Sequence, residues 1–432
     1  MSTVPCNAPA EPRASVLRPA LCLSALAVAL LHYGPGFADT FRPAPDVYPD
    51  FVQEWLSARN FWAGEPVYSP QRAAMRRHTG EDLPAFDTEL PWNAHPPVAV
   101  LFALPFGRIA DYPAAHLAWN LATFPLFLLS LVLIARELGL PVNGWSACAA
   151  AALIVSWNAA ANQIFQGQLN FVILFLLTLA WIADRRGYQV GAGAAVGAAA
   201  ALKVFPALLL VYFAATGRWR AAAAAVLAGL VLNLFAMGLF GPAAFETYVR
   251  DVLPSLDIFR AAWSNVSLTG YWTRVGVSLG VKPVGAAAAV LCQFAVVAAV
   301  WVAGRRAAGA DGHDRAFALA VVGMLLASPV AWTHYFVILP LPLLLVWSRM
   351  PRGLALGVLA AASAALWLDP LFVPGLVIGR AEAEAMTNTS PFPGGFVMAG
   401  AGLGTYTYAL VAIFLIIGFT RFSAAQVTKP SL

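Results

Sequence analysis

About a dozen apolar runs divide this chain of 432 residues, and at about 20 residues per bilayer crossing there is room for roughly 11–13 spans. That constraint outranks every other, because a chain in lipid must satisfy its backbone polar groups internally. The sequence therefore reads as an all-α polytopic membrane protein. Composition agrees: 60% of residues are hydrophobic and 11% charged, with a mean hydropathy of +0.72, whereas charged residues alone make up about 25% of a soluble domain. The formal charge of +5 comes from arginines at span ends, and no basic run suited to a nucleic-acid backbone is present. Of the four cysteines, Cys6 lies in the N-terminal tail and Cys22, Cys148 and Cys292 in apolar runs. They read as small hydrophobes rather than as a disulfide framework or a zinc site.

Lys and Arg near span ends stay in the cytoplasm, which threads the chain. Arg136, Arg185, Arg186, Arg218, Arg220, Arg305, Arg306, Arg315, Arg349, Arg352 and Arg421 each border an apolar run. Placing them all inside gives spans near 16–34, 114–135, 145–161, 169–183, 191–215, 219–240, 284–304, 316–330, 334–348, 353–369 and 405–421, with both termini inside. The first follows Arg13 and Arg18 and reads as a retained signal anchor, since no small-residue cleavage site closes it. Two segments resist a full crossing. Pro96 to Phe106 is short and interrupted by Pro105, so it is expected as a re-entrant or interfacial helix. The run 191–215 is basic at both flanks and broken by Lys203 and Pro206, so two half-helices turning near Lys203 are expected. Outer loops of about 35–112, 242–282 and 371–403 follow, within a single membrane domain over 1–432.

Polar residues collect at the outer ends of these spans, and polar groups at membrane depth usually mark a functional site. Asp50 follows the first span, in an aromatic stretch through Trp55, Phe61 and Trp62 that suits a helix at headgroup level. It reads as a helix cap or loop acid, or as a catalytic carboxylate, with Asp46 its rival. His95 precedes Pro96-Pro97 at a helix start. Gln166, Gln168 and Asn170 place three amides in five residues, more than a turn needs. Lys203 is flanked by Leu202 and Val204; it either snorkels to the interface or meets an anion such as a phosphate. Asn265 and Ser267 match a glycosylation acceptor or supply polar ligand contacts. Trp332 and His334 lie in the Ser328–Tyr335 block between two spans, where a histidine serves structure or steadies a phosphate.

In this order, the Asp50–Gly64–Tyr68 spacing, His95-Pro96-Pro97, Gln166-Gly167-Gln168-Leu169-Asn170, Lys203-Val204-Phe205-Pro206, Asn265-Val266-Ser267 and Ser328–Tyr335 resemble glycosyltransferase family 87. The resemblance spans most of the chain. It implies a GT-C-type multispanning fold with a long, acid-bearing first outer loop and a polyprenyl-phosphate sugar donor, mannose being the best-known sugar. It implies Asp50 as general base, His334 near the donor phosphate, and Lys203 as a second phosphate contact. Gln166, Gln168, Asn170, Asn265, Ser267, His95 and Trp332 would bind substrate, the acceptor being an envelope glycolipid or glycan. Inverting transfer needs a base for the acceptor hydroxyl while the phosphate departs. Since the lipid phosphate is a good leaving group, neither metal nor cofactor is demanded. A bacterial inner membrane, with the site on its extracytoplasmic face, is implied. The competing readings are a flippase for a lipid-linked saccharide, which needs polar residues throughout the bilayer depth, and a membrane scaffold, which leaves Lys203 without a purpose.

Overall fold

The computed structural model describes residues 13–81, 92–351, 353–386, 395 and 397–420. Cys6, Arg352 and Arg421, and parts of the first and third outer loops, lie outside the described residues. The described chain is helical and holds no strand. The helices Tyr112–Glu137, Trp219–Phe240 and Lys282–Arg305 are each long and apolar enough to cross a bilayer. Gly144–Ser156 and Asn158–Gln166 form a broken fourth span, bent by 66°. Over other expected runs lie the helices Asn170–Arg185, Gly309–Ala327, Leu354–Ala365 and Thr405–Phe419, which are not among those long and apolar enough to cross. The expected run 334–348 is a 3-10 turn, Thr333–Ile338, feeding the Pro340–Arg349 helix.

The expected break at Lys203 is present. The Gln189–Leu202 helix stops where Lys203 turns extended, at φ −145° and ψ 136°. A 3-10 turn at Phe205–Leu208 then starts the Leu209–Ala215 helix. Pro206 supplies the fixed φ and the missing N–H that such a restart tolerates. The first half-helix packs on Trp219–Phe240 through a seam of small residues. A Cβ on Gly193 would lie 2.0 Å from the Ala221 carbonyl oxygen, and one on Gly197 2.2 Å from that of Ala225. Backbones this close need glycine, as at many helix contacts within membranes.

The first outer loop folds into the protein. Its helices Val52–Trp62 and Gln71–Thr79 and the short Pro97–Ala103 helix share a core built on Phe51, Trp55, Tyr112 and Trp119. The aromatic stretch expected at headgroup level therefore divides: Trp55 is wholly buried, whereas Trp62 is 45% exposed. The physical reason is a ring cluster, with Phe51 4.9 Å from Trp119 and Trp55 5.3 Å from Tyr112.

Charges mark the opposite end of the bundle. Arg218 meets Asp184 at 2.5 Å, Arg186 meets Glu137 at 2.7 Å, and Arg349 meets Asp311 at 2.7 Å. Asp184 also accepts from the Tyr212 hydroxyl at 2.6 Å, and Asp314 from the Trp181 indole at 2.9 Å. Arg185, Arg186, Arg218 and Arg349, assigned to the cytoplasm, thus lie at the ends of their helices away from Asp50.

Gly197→Val drives a side chain into the Ala225 carbonyl and is expected to cost about 3 kcal/mol or more, the upper range for overpacking. Gly229→Ala, whose Cβ would sit 3.7 Å from the nearest atom of the facing helix, is expected to leave stability near the wild-type value. Thermal denaturation of the two purified variants compares them, and equal midpoints would remove the seam from the account of the fold.

Candidate active site

A cavity of about 550 Å³ opens at the end of the bundle away from the arginine pairs. Asp50, His95, Gln166, Gln168, Trp332 and His334 line it. It draws on the first outer loop, the Gln166–Asn170 turn and the Ser328–Tyr335 block.

Asp50 stands just ahead of the Val52–Trp62 helix but caps nothing with its side chain. The two backbone donors just before that helix are taken by Gln166, while the Val52 and Gln53 N–H groups donate to the Pro49 and Asp50 carbonyls. The Asp50 N–H donates to Gln166 Oε1 at 3.1 Å, and the Phe51 N–H to the Gln166 carbonyl at 2.9 Å. So close an approach requires Gly167. Its φ is +62°, and a Cβ there would lie 2.6 Å from that of Phe51. Glycine closing the Asn158–Gln166 helix in the left-handed region is an ordinary helix stop, used here to bring two distant loops together.

The carboxylate freed from capping accepts from Gln168 Nε2 at 2.8 Å. Gln168 Oε1 accepts from Lys203 Nζ at 2.6 Å. Lysine can only donate, so Gln168 must present its oxygen to Lys203 and its NH₂ to Asp50. Lys203 is buried and does not line the cavity. Its ammonium also sits 4.4 Å from the centre of the Tyr335 ring and 3.4 Å from the Tyr335 hydroxyl. Asn170 lies in the same second layer, donating at 2.8 Å to Gln163 Oε1, while Gln163 donates to the Gln168 carbonyl. Burial pushes the Asp50 carboxyl above the usual aspartate range and neighbouring Glu54 adds to the rise, while the Gln168 hydrogen bond and the charges of His95 and Lys203 oppose it. Asp46 is exposed and does not line the cavity.

His334 is 4% exposed, and its Nε2 is buried without a hydrogen-bond partner among the described residues. A buried polar atom left unmatched calls for an explanation, and an absent ligand is one. Asn265 and Ser267, expected to touch a ligand, are spent on the backbone. Asn265 Oδ1 accepts from the N–H groups of Ser267 and Ala331, both at 3.1 Å, and its Nδ2 donates to Pro329 O at 3.0 Å. Ser267 caps the Leu268–Ser278 helix through Gly270 N at 3.0 Å. Together they fasten the second outer loop to the block that carries Trp332 and His334. Four polar lining residues escaped the sequence reading: Gln53, Asn158, Asp369 and Arg380. Gln53 sits one turn from Asp50 and was findable by helical spacing. Asp369 and Arg380, 3.1 Å apart, carry no local signal.

A buried carboxyl group, an unmatched histidine and amides thus surround one cavity in a helical bundle with membrane-spanning helices. A family match makes this bundle a membrane glycosyltransferase. The chain belongs to glycosyltransferase family 87, whose family profile matches residues 93–329. That stretch includes His95, Gln166, Gln168, Lys203, Asn265 and Ser267, whereas Asp50, Trp332 and His334 lie beyond it. The chain is 26% identical, over 78% of its length and 74% of the relative's, to a polyprenol-phosphate-mannose-dependent alpha-(1-2)-phosphatidylinositol mannoside mannosyltransferase of Mycolicibacterium smegmatis. It is 29% identical, over 46% of each chain, to an alpha-(1->3)-arabinofuranosyltransferase of Mycobacterium tuberculosis. Among solved structures, ArnT from Cupriavidus metallidurans in the apo state aligns with 94% of this chain and 76% of its own, at a TM-score of 0.38 and 16% identity.

Deprotonated Asp50 is the form that accepts a proton, so activity is present above its pKa and lost as pH falls through it. The acid limb of kcat/KM, which reports the free enzyme, is expected above the usual aspartate range. Gln168→Leu removes a hydrogen bond that favours the charged form and is expected to move that limb to still higher pH. A pH–rate profile checks this, and a limb unmoved by Gln168→Leu would detach it from Asp50.

Proposed function

We propose that this protein transfers a mannosyl group, with inversion, from a polyprenyl-phosphate-linked donor to an envelope glycolipid or glycan at the extracytoplasmic face of a bacterial inner membrane. One observation carries the reading. Asp50, oriented by Gln168, and the unmatched His334 line the same cavity. Donor class and sugar are drawn from the names of the relatives.

In the reaction, an acceptor hydroxyl attacks the anomeric carbon of the donor sugar. Asp50 takes the hydroxyl proton as the new C–O bond forms, and the bond from the anomeric carbon to the phosphate oxygen breaks with its electron pair on the phosphate. His334 Nε2 is the group placed to hydrogen-bond that oxygen as charge develops. Donors aimed at developing charge, inside a site that excludes water, stabilise the transition state more than they would in solution. Lys203 contributes from the second layer, by fixing Gln168 and adding positive potential beneath the carboxylate. Gln166 Nε2 and the Trp332 ring are left to meet sugar.

Asp50→Asn is expected to lower transfer of radiolabelled mannose from polyprenyl-phosphomannose by about 10²–10⁴-fold, the usual worth of a general base. Normal expression of the variant is the control. Undiminished transfer by Asp50→Asn would dismiss it as the base, and no transfer by wild type from any of a panel of lipid-linked sugars would dismiss the reading itself.

Orientation has its own check. In a cysteine-free background, Ala73→Cys on the exposed face of the Gln71–Thr79 helix is expected to react with a membrane-impermeant thiol reagent added to intact spheroplasts. Ala308→Cys, exposed beside the arginine-rich end, is expected to react only after permeabilisation. The reverse pattern would put the site in the cytoplasm.

A further inference from the structure

A base is useful only if the correct hydroxyl is aimed at it, and the cavity holds a second polar device beside Asp50. Glu54 lies in the first turn of the Val52–Trp62 helix, four residues after Asp50, which precedes that helix. Glu54 is 3% exposed, and its Oε1 pairs with His95 Nδ1. Among the described residues Glu54 has no other ion pair. A buried carboxylate is costly to keep, and the mechanism above makes no use of this one.

The segment bearing His95 is fastened on every side. The Ala94 N–H donates to Gln53 Oε1 at 2.9 Å, Asn93 Nδ2 to Ser57 Oγ at 3.1 Å, and Gln71 Nε2 to the Trp92 carbonyl at 2.7 Å. The His95 N–H donates to Asn93 Oδ1 at 2.9 Å, and its carbonyl accepts from the Tyr68 hydroxyl at 2.5 Å. Three residues of a single helix, Gln53, Glu54 and Ser57, therefore set backbone and ring alike. With Nδ1 facing the carboxylate, Nε2 is the ring nitrogen left to meet a ligand. His95 lines the cavity, and Nε2 bonds to no described residue.

We propose that Glu54 and His95 act as one clamp for the acceptor sugar. His95 Nε2 hydrogen-bonds a hydroxyl next to the one that Asp50 deprotonates, and Glu54 is a positioning residue that holds the ring for that contact. The clamp deepens the transfer reading and rests on it. Built to receive a hydroxyl, such a contact rejects a ligand that lacks one, because the buried polar group is then left unpaired.

The test uses octyl α-D-mannoside as acceptor probe and the full chain in nanodiscs. Binding is read from the fluorescence of Trp263 and Trp332, both of which line the cavity. Glu54→Gln and His95→Gln are each expected to weaken binding about tenfold. The double variant is expected to bind no more weakly than either single one, because residues acting as a unit are not additive. In turnover with polyprenyl-phosphomannose, the KM for the mannoside should rise about tenfold in each single variant, with kcat and the donor KM within about twofold of wild type. Should Glu54→Gln not give monodisperse protein, Glu54→Asp, which draws the carboxylate back from Nδ1, carries the same expectation. Wild-type binding in the single variants, additive losses in the double, or a fall in kcat at constant mannoside KM would each overturn the clamp. So would a wild type that does not bind the mannoside. A wild type that binds the mannoside with the two residues coupled, yet transfers nothing from any lipid-linked sugar, would support the clamp and overturn the transfer reading.

Discussion

An ammonium group has protons to give and no lone pair to offer, and that asymmetry orders the site. Lys203 compels the Gln168 amide to face it oxygen first, which leaves the amide NH₂ for Asp50 and nowhere else. The carboxylate is thereby turned toward the cavity, while Gln166 accepts from the Asp50 and Phe51 N–H groups and ties that backbone in place. Without the lysine, the amide could sit either way round and the carboxylate would lose its preferred orientation. A charge held at membrane depth is expensive. Here it is offset by an amide, an aromatic face and two nearby carboxylates rather than by a direct ion pair.

That arrangement depends in turn on where the chain stops being helical. Lys203 can point at Gln168 because the helix ends there and the backbone turns extended. The half-helix before it is held by the glycine seam against Trp219–Phe240, so the position of Lys203 is set by backbone contact. Broken helices at membrane depth are tolerated where protein surrounds them, and both halves lie in such surroundings.

The fold was largely legible because its signals are local. Run length located the helices, and arginine placement with a stranded lysine and proline forced the break at 203. Asp50, Gln168 and His334 were legible as anomalies, polar groups where apolar ones are cheaper. What the amides do was not legible, since an asparagine that binds a sugar and one that binds a carbonyl are the same letter. Asn265 proved to be a fastening, and only the positions of Pro329 and Ala331, more than 60 residues on, reveal it. The pairing of Glu54 with His95 was hidden for the same reason: it joins residues whose neighbourhood exists only once the first outer loop has folded inward. The headgroup-level expectation for Trp55 failed because that inward fold offered an edge-on contact with Tyr112 in place of lipid.

The two ends of the bundle are held together by different means. One is cross-braced by arginine–carboxylate pairs between helices far apart in sequence. The other is assembled from loops and 3-10 turns, joined by side-chain hydrogen bonds and by the pairs Asp369–Arg380 and Glu54–His95. Local opening costs least where few buried contacts are lost, so the molecule is stiff at its charged end and yields first at its cavity. On the transfer proposed above, a substrate entering the cavity would meet the compliant end, with the braced end holding the helices in register.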